Sequence, residues 1–114
     1  MKYVLLIHVE ETHYATLSPQ ETQRLMDEYQ EFIKQLTASG ARIASQRLRP
    51  SASATTIRVR GGETLVSDGP FAETKEQLGG FFLINANDLD EAIAWAAKFP
   101  MAKHGSIEVR PVWE

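Results

Sequence analysis

The sequence contains no cysteine. That absence excludes disulfide frameworks, zinc–thiolate sites, thiol nucleophiles and iron–sulfur clusters. Long apolar runs are missing as well: no stretch approaches the ~20 residues that a helix needs to cross a bilayer. The apolar opening, Tyr3 to Val9, is short. It has neither the basic leader nor the cleavage site of a secretory signal, so a cytoplasmic protein is expected and no membrane partner. There is no phosphate-binding glycine loop and no Gly-x-Ser-x-Gly elbow. The three histidines, His8, His13 and His104, do not fall at the spacing of any zinc motif. No metal and no cofactor is therefore expected. Low-complexity tracts and diagnostic repeats are also lacking. What remains is an ordinary globular composition, 43% apolar and 24% charged, over 114 residues, which is the length of one domain spanning the whole of 1–114.

Charge is sorted along the chain. Residues 1–31 carry six acids and two bases, and residues 63–114 carry nine acids and four bases. Between them, residues 32–62 have no acid but six bases: Lys34, Arg42, Arg47, Arg49, Arg58 and Arg60. Such a block suits an anion or nucleic-acid patch. It equally suits a solvated hairpin, or one that meets an acidic surface of a second subunit. No aromatic lies among these arginines to stack on bases, and the overall charge is acidic, so nucleic acid is not the expected partner.

The apolar pattern predicts an ordered set of elements. Residues 3–9 read as a strand buried on both faces, central in a sheet, with His8 on the side of Val4 and Leu6. Glu10 to Leu17 reads as a polar loop. Ser18-Pro19-Gln20-Glu21 opens a helix, with Ser18 as cap, Pro19 in the first position and Glu21 closing a capping box. Leu25, Met26, Tyr29, Phe32, Ile33 and Leu36 form its apolar stripe, and Gly40 its stop. A strand over 41–48 follows, then a turn at 50–53. Residues 54–67 form a β-hairpin around Gly61-Gly62, with Ile57 and Val59 on one face. Asp68-Gly69-Pro70-Phe71 is a turn, and 72–78 a polar stretch with one helical turn. A strand over 81–86 leads to a second helix capped at Asn87 or Asp88, with Leu89, Ala92, Ile93 and Ala96 inward and Pro100 at its end. Residues 106–112 form the last strand, with Ile107 and Val109 on one face and Glu108 and Arg110 on the other.

Without the hairpin this order is βαββαβ, an α+β, ferredoxin-like arrangement with both helices on one sheet face. Strands 3–9 and 81–86 are too apolar on both sides to leave one side wet. Pairing of two sheets in a homodimer, a dimeric α+β barrel, is therefore expected.

Ser67-Asp68-Gly69-Pro70-Phe71-Ala72-Glu73-Thr74-Lys75-Glu76-Gln77-Leu78-Gly79-Gly80-Phe81 resembles the signature of DGPF-domain proteins of the YCII-related superfamily. The similarity extends over the opening Met1 to Ile7, over Asp88-Leu89-Asp90-Glu91-Ala92 and Ala94-Trp95-Ala96, and over Pro100, Gly105 and Ile107 to Val112. The resemblance implies a ferredoxin-like dimeric α+β barrel. It also implies a link, in some relatives, to extracytoplasmic-function sigma factors. The YciI branch of the superfamily has a proposed His–Asp pair, with His in the first helix and Asp in an Asp-Pro-Tyr after the second. This chain has no His over 19–39, and Phe99-Pro100-Met101 stands at the Asp-Pro-Tyr position, so that pair is absent.

Four residues remain as candidates for chemistry or ligand contact. His8 ends a central strand and is an acid or base near neutral pH; it is equally a hydrogen-bonded residue at the core edge. Asp68 is a general base or ligand contact, or accepts backbone N–H bonds within its own turn while Phe71 plugs the core. Glu108 and Arg110, facing away from the helices, form an ion pair across a dimer, or else Arg110 anchors a small anion while Glu108 handles a proton. His13 is expected in solvent and His104 without a partner. Two functions stay open. One is a homodimer with a pocket for a small anionic ligand, acting as a cofactor-independent enzyme. The other is a non-enzymatic interaction or regulatory protein, associated with a sigma factor.

Overall fold

The computed structural model describes residues 1–114. In chain order the elements are β1 (Lys2–Val9), α1 (Glu11–Ala15), α2 (Pro19–Ala38), β2 (Arg42–Arg47), β3 (Thr55–Arg60), β4 (Glu63–Asp68), β5 (Gln77–Asn85), α3 (Leu89–Lys98) and β6 (Ser106–Pro111). Short 3-10 turns occupy Ser51–Ser53 and Pro100–Lys103. The main sheet has the order β2-β5-β1-β6, antiparallel throughout. That is the ferredoxin-like α+β topology, with β1 and β5 central as their apolar sequences require.

Alternation in β1 sends Tyr3, Leu5 and Ile7 into the core. Phe82 and Ile84 of β5 join them, along with Phe32 and Leu36 of α2 and Ala92 and Ala96 of α3. The centre is aromatic: Phe32, Phe82 and Phe99 meet edge to face, with centroids 5.1 to 5.4 Å apart. Helix α2 starts as its sequence dictates. The Ser18 hydroxyl accepts from the Glu21 N–H at 3.1 Å, and the Glu21 carboxylate accepts from the Ser18 N–H at 3.4 Å. It stops before Gly40, whose φ of 81° is open to glycine at little cost.

Four local expectations need correction. The Glu10 to Leu17 stretch is in part helical, as α1. Residues 72–78 hold no helical turn; β5 has already begun at Gln77 and runs through Gly79 and Gly80. Glycine is needed at 80 because a β-carbon there would lie 2.8 Å from the backbone oxygen of Gln46 in the neighbouring strand. In α3 only Ala92 and Ala96 are buried, and Leu89 and Ile93 are exposed. The small alanines let the helix sit close on the sheet, and the adjacent stripe, about 100° further round, turns to solvent.

β3 and β4 form a separate two-stranded sheet. Gly61 and Gly62 have φ of 58° and 79°, the pattern of a two-residue hairpin turn with both residues left-handed. Ile57, Val59 and Val66 share one face and are 55 to 65% exposed. Leu65 lies on the opposite, arginine-bearing face, which is therefore less polar than the alternation of β3 implies. The hairpin makes the molecule flat and extended: the radius of gyration is 16.0 Å over extents of 47 × 42 × 18 Å, against about 13 Å for a compact chain of this length.

Within one chain the sheet is open and no barrel closes. The face away from the helices carries Val4, Leu6, Phe81 and Leu83, all only half-buried. No helix is long and apolar enough to cross a membrane.

Candidate functional site

Strand β6 pairs with β1 so that Ser106 faces His8, Glu108 faces Leu6 and Arg110 faces Val4. Directly paired residues share a sheet face. All three β6 side chains therefore stand on the open face, at the edge of its apolar patch. There Glu108 lies between His8 and Arg110. Its Oε1 lies 3.9 Å from His8 Nε2, and its Oε2 accepts a hydrogen bond from Arg110 Nη2. Both contacts use Glu108, and Arg110–Glu108 is the ion pair of the chain between two charged side chains. The Arg110 side chain is 67% exposed, so the pair contributes only about 0–1 kcal/mol to folding. The cluster is a placement of charge more than a brace.

His8 sits at a pairing irregularity on the β5 side and against a close backbone approach on the β6 side. The β1–β5 register shifts between Ile7 and His8. On the β6 side, Gly105 passes so near that a β-carbon would run into the His8 carbonyl oxygen and stand 3.2 Å from that of Met101. Any larger residue at 105 would push the start of β6 away from His8.

From His8 a groove of about 530 Å³ runs to the loop after β4, lined among others by Arg49, Thr56, Phe71, Glu76 and Leu78. Gly69 has a φ of 92°, which only glycine adopts readily. The Gly69 N–H donates to Ala54 O at 2.7 Å, the Thr56 hydroxyl donates to Gly69 O at 2.8 Å, and Arg58 donates to Phe71 O at 3.3 Å. These bonds, and not the Asp68 carboxylate, tie the turn to β3. Phe71 does not plug the core: it is 78% exposed, because the loop belongs to the projecting hairpin and lies outside the layer between sheet and helices.

The structure thus brings His8, Glu108 and Arg110 together and leaves Asp68 out. Asp68 ends β4 on the hairpin face of Ile57 and Val66, exposed and outside the groove lining. The sequence reading missed Ser106, Glu76 and Arg49. Ser106 donates to Glu76 Oε1 at 2.7 Å, which puts a second carboxylate beside the end of β1. Alternation along β6 was enough to place Ser106 with Glu108. Glu76 and Arg49 sit on loops, where no periodicity points to them. His104 is also not without a neighbour, since its ring lies 5.1 Å from that of His13. No group of three or more His, Asp or Glu side chains is arranged to hold a metal ion.

Fold and cluster together define a ferredoxin-like α+β protein with a charged site on its uncovered sheet face. The YCII-related domain matches residues 1–114, and the chain belongs to that family. An uncharacterised protein of Rhizobium meliloti (strain 1021) is 40% identical over 114 residues, covering 98% of this chain and 92% of that protein.

Proposed function

We propose that the protein acts as a homodimer that binds a small anionic molecule where the open sheet face meets the His8 groove. The observation that carries this reading is the chain of His8, Glu108 and Arg110 at the rim of an uncovered apolar patch. A second copy laid on Val4, Leu6, Phe81 and Leu83 removes apolar surface from water. It also turns the rim charges inward, where they need a partner. Arg110 then offers a planar fork of donors to a carboxylate or phosphate. His8, with Glu108 beside it, supplies an imidazole to give or take a proton. Proton transfer on a bound small acid, without a cofactor, is the chemistry this set can perform.

The projecting hairpin favours a second reading, a non-enzymatic interaction module with a sigma factor among its partners, because Ile57, Val59 and Val66 present an apolar face. Sedimentation and a thermal-shift screen of small carboxylates and phosphates separate the two. The first reading expects a dimer burying well over ~1,000 Å², stabilised by an anion in the unaltered protein and not in Arg110→Met, with the dimer intact in both. A stable folded monomer that responds to no anion would overturn it. A dimer that Arg110→Met splits would make the arginine an ion-pair partner between subunits and favour the interaction role.

A further inference from the structure

On the helix-covered side of the sheet the core does not close completely. Between β1, β5, α1 and the first half of α2 lies a cavity of about 320 Å³, within the range of small-molecule pockets. Its walls are mainly apolar, with Ile7, Val9, Leu25, Met26, Phe82 and Met101 contributing. Beside Thr22 at the rim, four residues with polar or charged ends, Glu11, Tyr14, Tyr29 and Arg47, also line it.

The state of those four groups indicates the ligand. The Glu11 carboxylate is already engaged: Oε1 accepts from the Ser51 N–H at 2.7 Å and Oε2 from the Ser51 hydroxyl at 2.8 Å. Neither tyrosine hydroxyl makes a hydrogen bond, and the Arg47 guanidinium meets no oxygen of the protein. The Tyr14 hydroxyl is buried and makes no hydrogen bond, a condition rare in folded proteins. The one hydrogen-bond contact of the Arg47 side chain is the Met26 sulfur, at 3.8 Å, and no carboxylate lies within ion-pair distance. Burial raises the pKa of both tyrosines, at Tyr14 with the nearby Glu76 charge adding to it and at Tyr29 with Arg47 and Arg42 pulling back. Both phenols therefore remain donors at neutral pH. An apolar chamber with two protonated phenols, which both donate and accept, and one guanidinium, which only donates, suits an apolar molecule with an acceptor end. One planar guanidinium matches a carboxylate, and the small polar fraction of the lining disfavours a more heavily hydrated phosphate.

We propose that this cavity binds a monocarboxylic acid with an apolar body, the body lying between Leu25, Met26 and Phe82 and the carboxylate meeting Arg47. The site lies on the helix-covered side of the sheet, meets the His8 groove at Leu48 and Pro50, and does not depend on the dimer.

Decanoate and decanol, titrated into the full chain by calorimetry and followed by methyl NMR, test the proposal. Decanoate should shift the methyl signals of Val9, Leu25 and Met26 and leave those of Leu6 and Leu83, on the open face, unmoved. Arg47 is exposed, so Arg47→Met should fold normally. It should weaken decanoate about tenfold, the loss of one charge-assisted hydrogen bond, and leave decanol unchanged. Thr22→Trp, placed on the exposed rim of the cavity, should abolish binding of both. Shifts confined to Leu6 and Leu83, equal decanoate affinity in Arg47→Met, or no binding at millimolar decanoate would each overturn the proposal. If Thr22→Trp does not fold, the methyl map of the unaltered protein decides.

Discussion

The two faces of the main sheet are built from the same strands and fare differently. On one, Tyr3, Leu5, Ile7, Phe82 and Ile84 disappear under α2 and α3. On the other, Val4, Leu6, Phe81 and Leu83 are nearly as apolar but only half-buried. An antiparallel sheet with one wet face normally alternates apolar and polar side chains. Here the second face carries apolar residues at its centre, with its charges toward β6 and at Lys2, the start of β1. The difference teaches that local composition sets what a face can bury, while the supply of covering elements sets what it does bury. This chain has two long helices and both go to one side.

The largest effect expected from that contrast is in paired truncations. Phe82→Ala should cost about 3–5 kcal/mol, the usual range for a buried aromatic. Leu83→Ala, one residue along and on the other face, should cost the single chain only about 1 kcal/mol, while weakening any self-association. Denaturant unfolding at several protein concentrations checks both. Equal costs, independent of concentration, would break the comparison.

The next effect is steric. Gly105→Ala forces a β-carbon into the His8 carbonyl and should cost about 1–3 kcal/mol. It should also shift the His8 ring signals in NMR spectra, whereas an added methyl in open space would not.

Gly69→Ala tests the hairpin side. Nothing lies within 4 Å of the added carbon, so the cost comes only from the φ of 92°. About 1 kcal/mol is expected. An unchanged unfolding midpoint would show that the loop relaxes to another conformation.

The smallest effect concerns pH and the helix-covered face. In the folded chain the Tyr29 hydroxyl is held above its ordinary value of 10.0, chiefly by burial. The folded state thus binds that proton more tightly than the unfolded state. The associated stability is fully present below the unfolded value and is lost as pH rises through the folded one. Tyr29→Phe should remove that part of the alkaline decline, as seen by thermal unfolding between neutral pH and pH above 10. An identical alkaline slope in both proteins would show that the hydroxyl is solvated.

Much of this was legible in the residues. Ser18, Pro19, Glu21 and Gly40 bounded α2 because capping and backbone preferences are local. Gly61-Gly62 marked the hairpin for the same reason, and alternation placed His8 with Val4 and Glu108 with Arg110. The failures share a cause. Phe71 looked like a core plug because its size favours burial, but where a loop residue goes depends on what the loop packs against. Leu89 and Ile93 looked inward because apolar spacing cannot say which of two adjacent stripes meets the sheet.

The sequence by itself therefore determined most of the elements, their order and the faces of β1, β3 and β6, since these follow from periods of 2 and 3.6 residues and from the stereochemistry of glycine and proline. Only the tertiary structure decided that Glu108 reaches both His8 and Arg110, that Asp68 stands apart from them, and that Tyr14, Tyr29 and Arg47 from three separate segments line one cavity. Those relations hold between residues far apart in the chain, and strand register and helix packing create them.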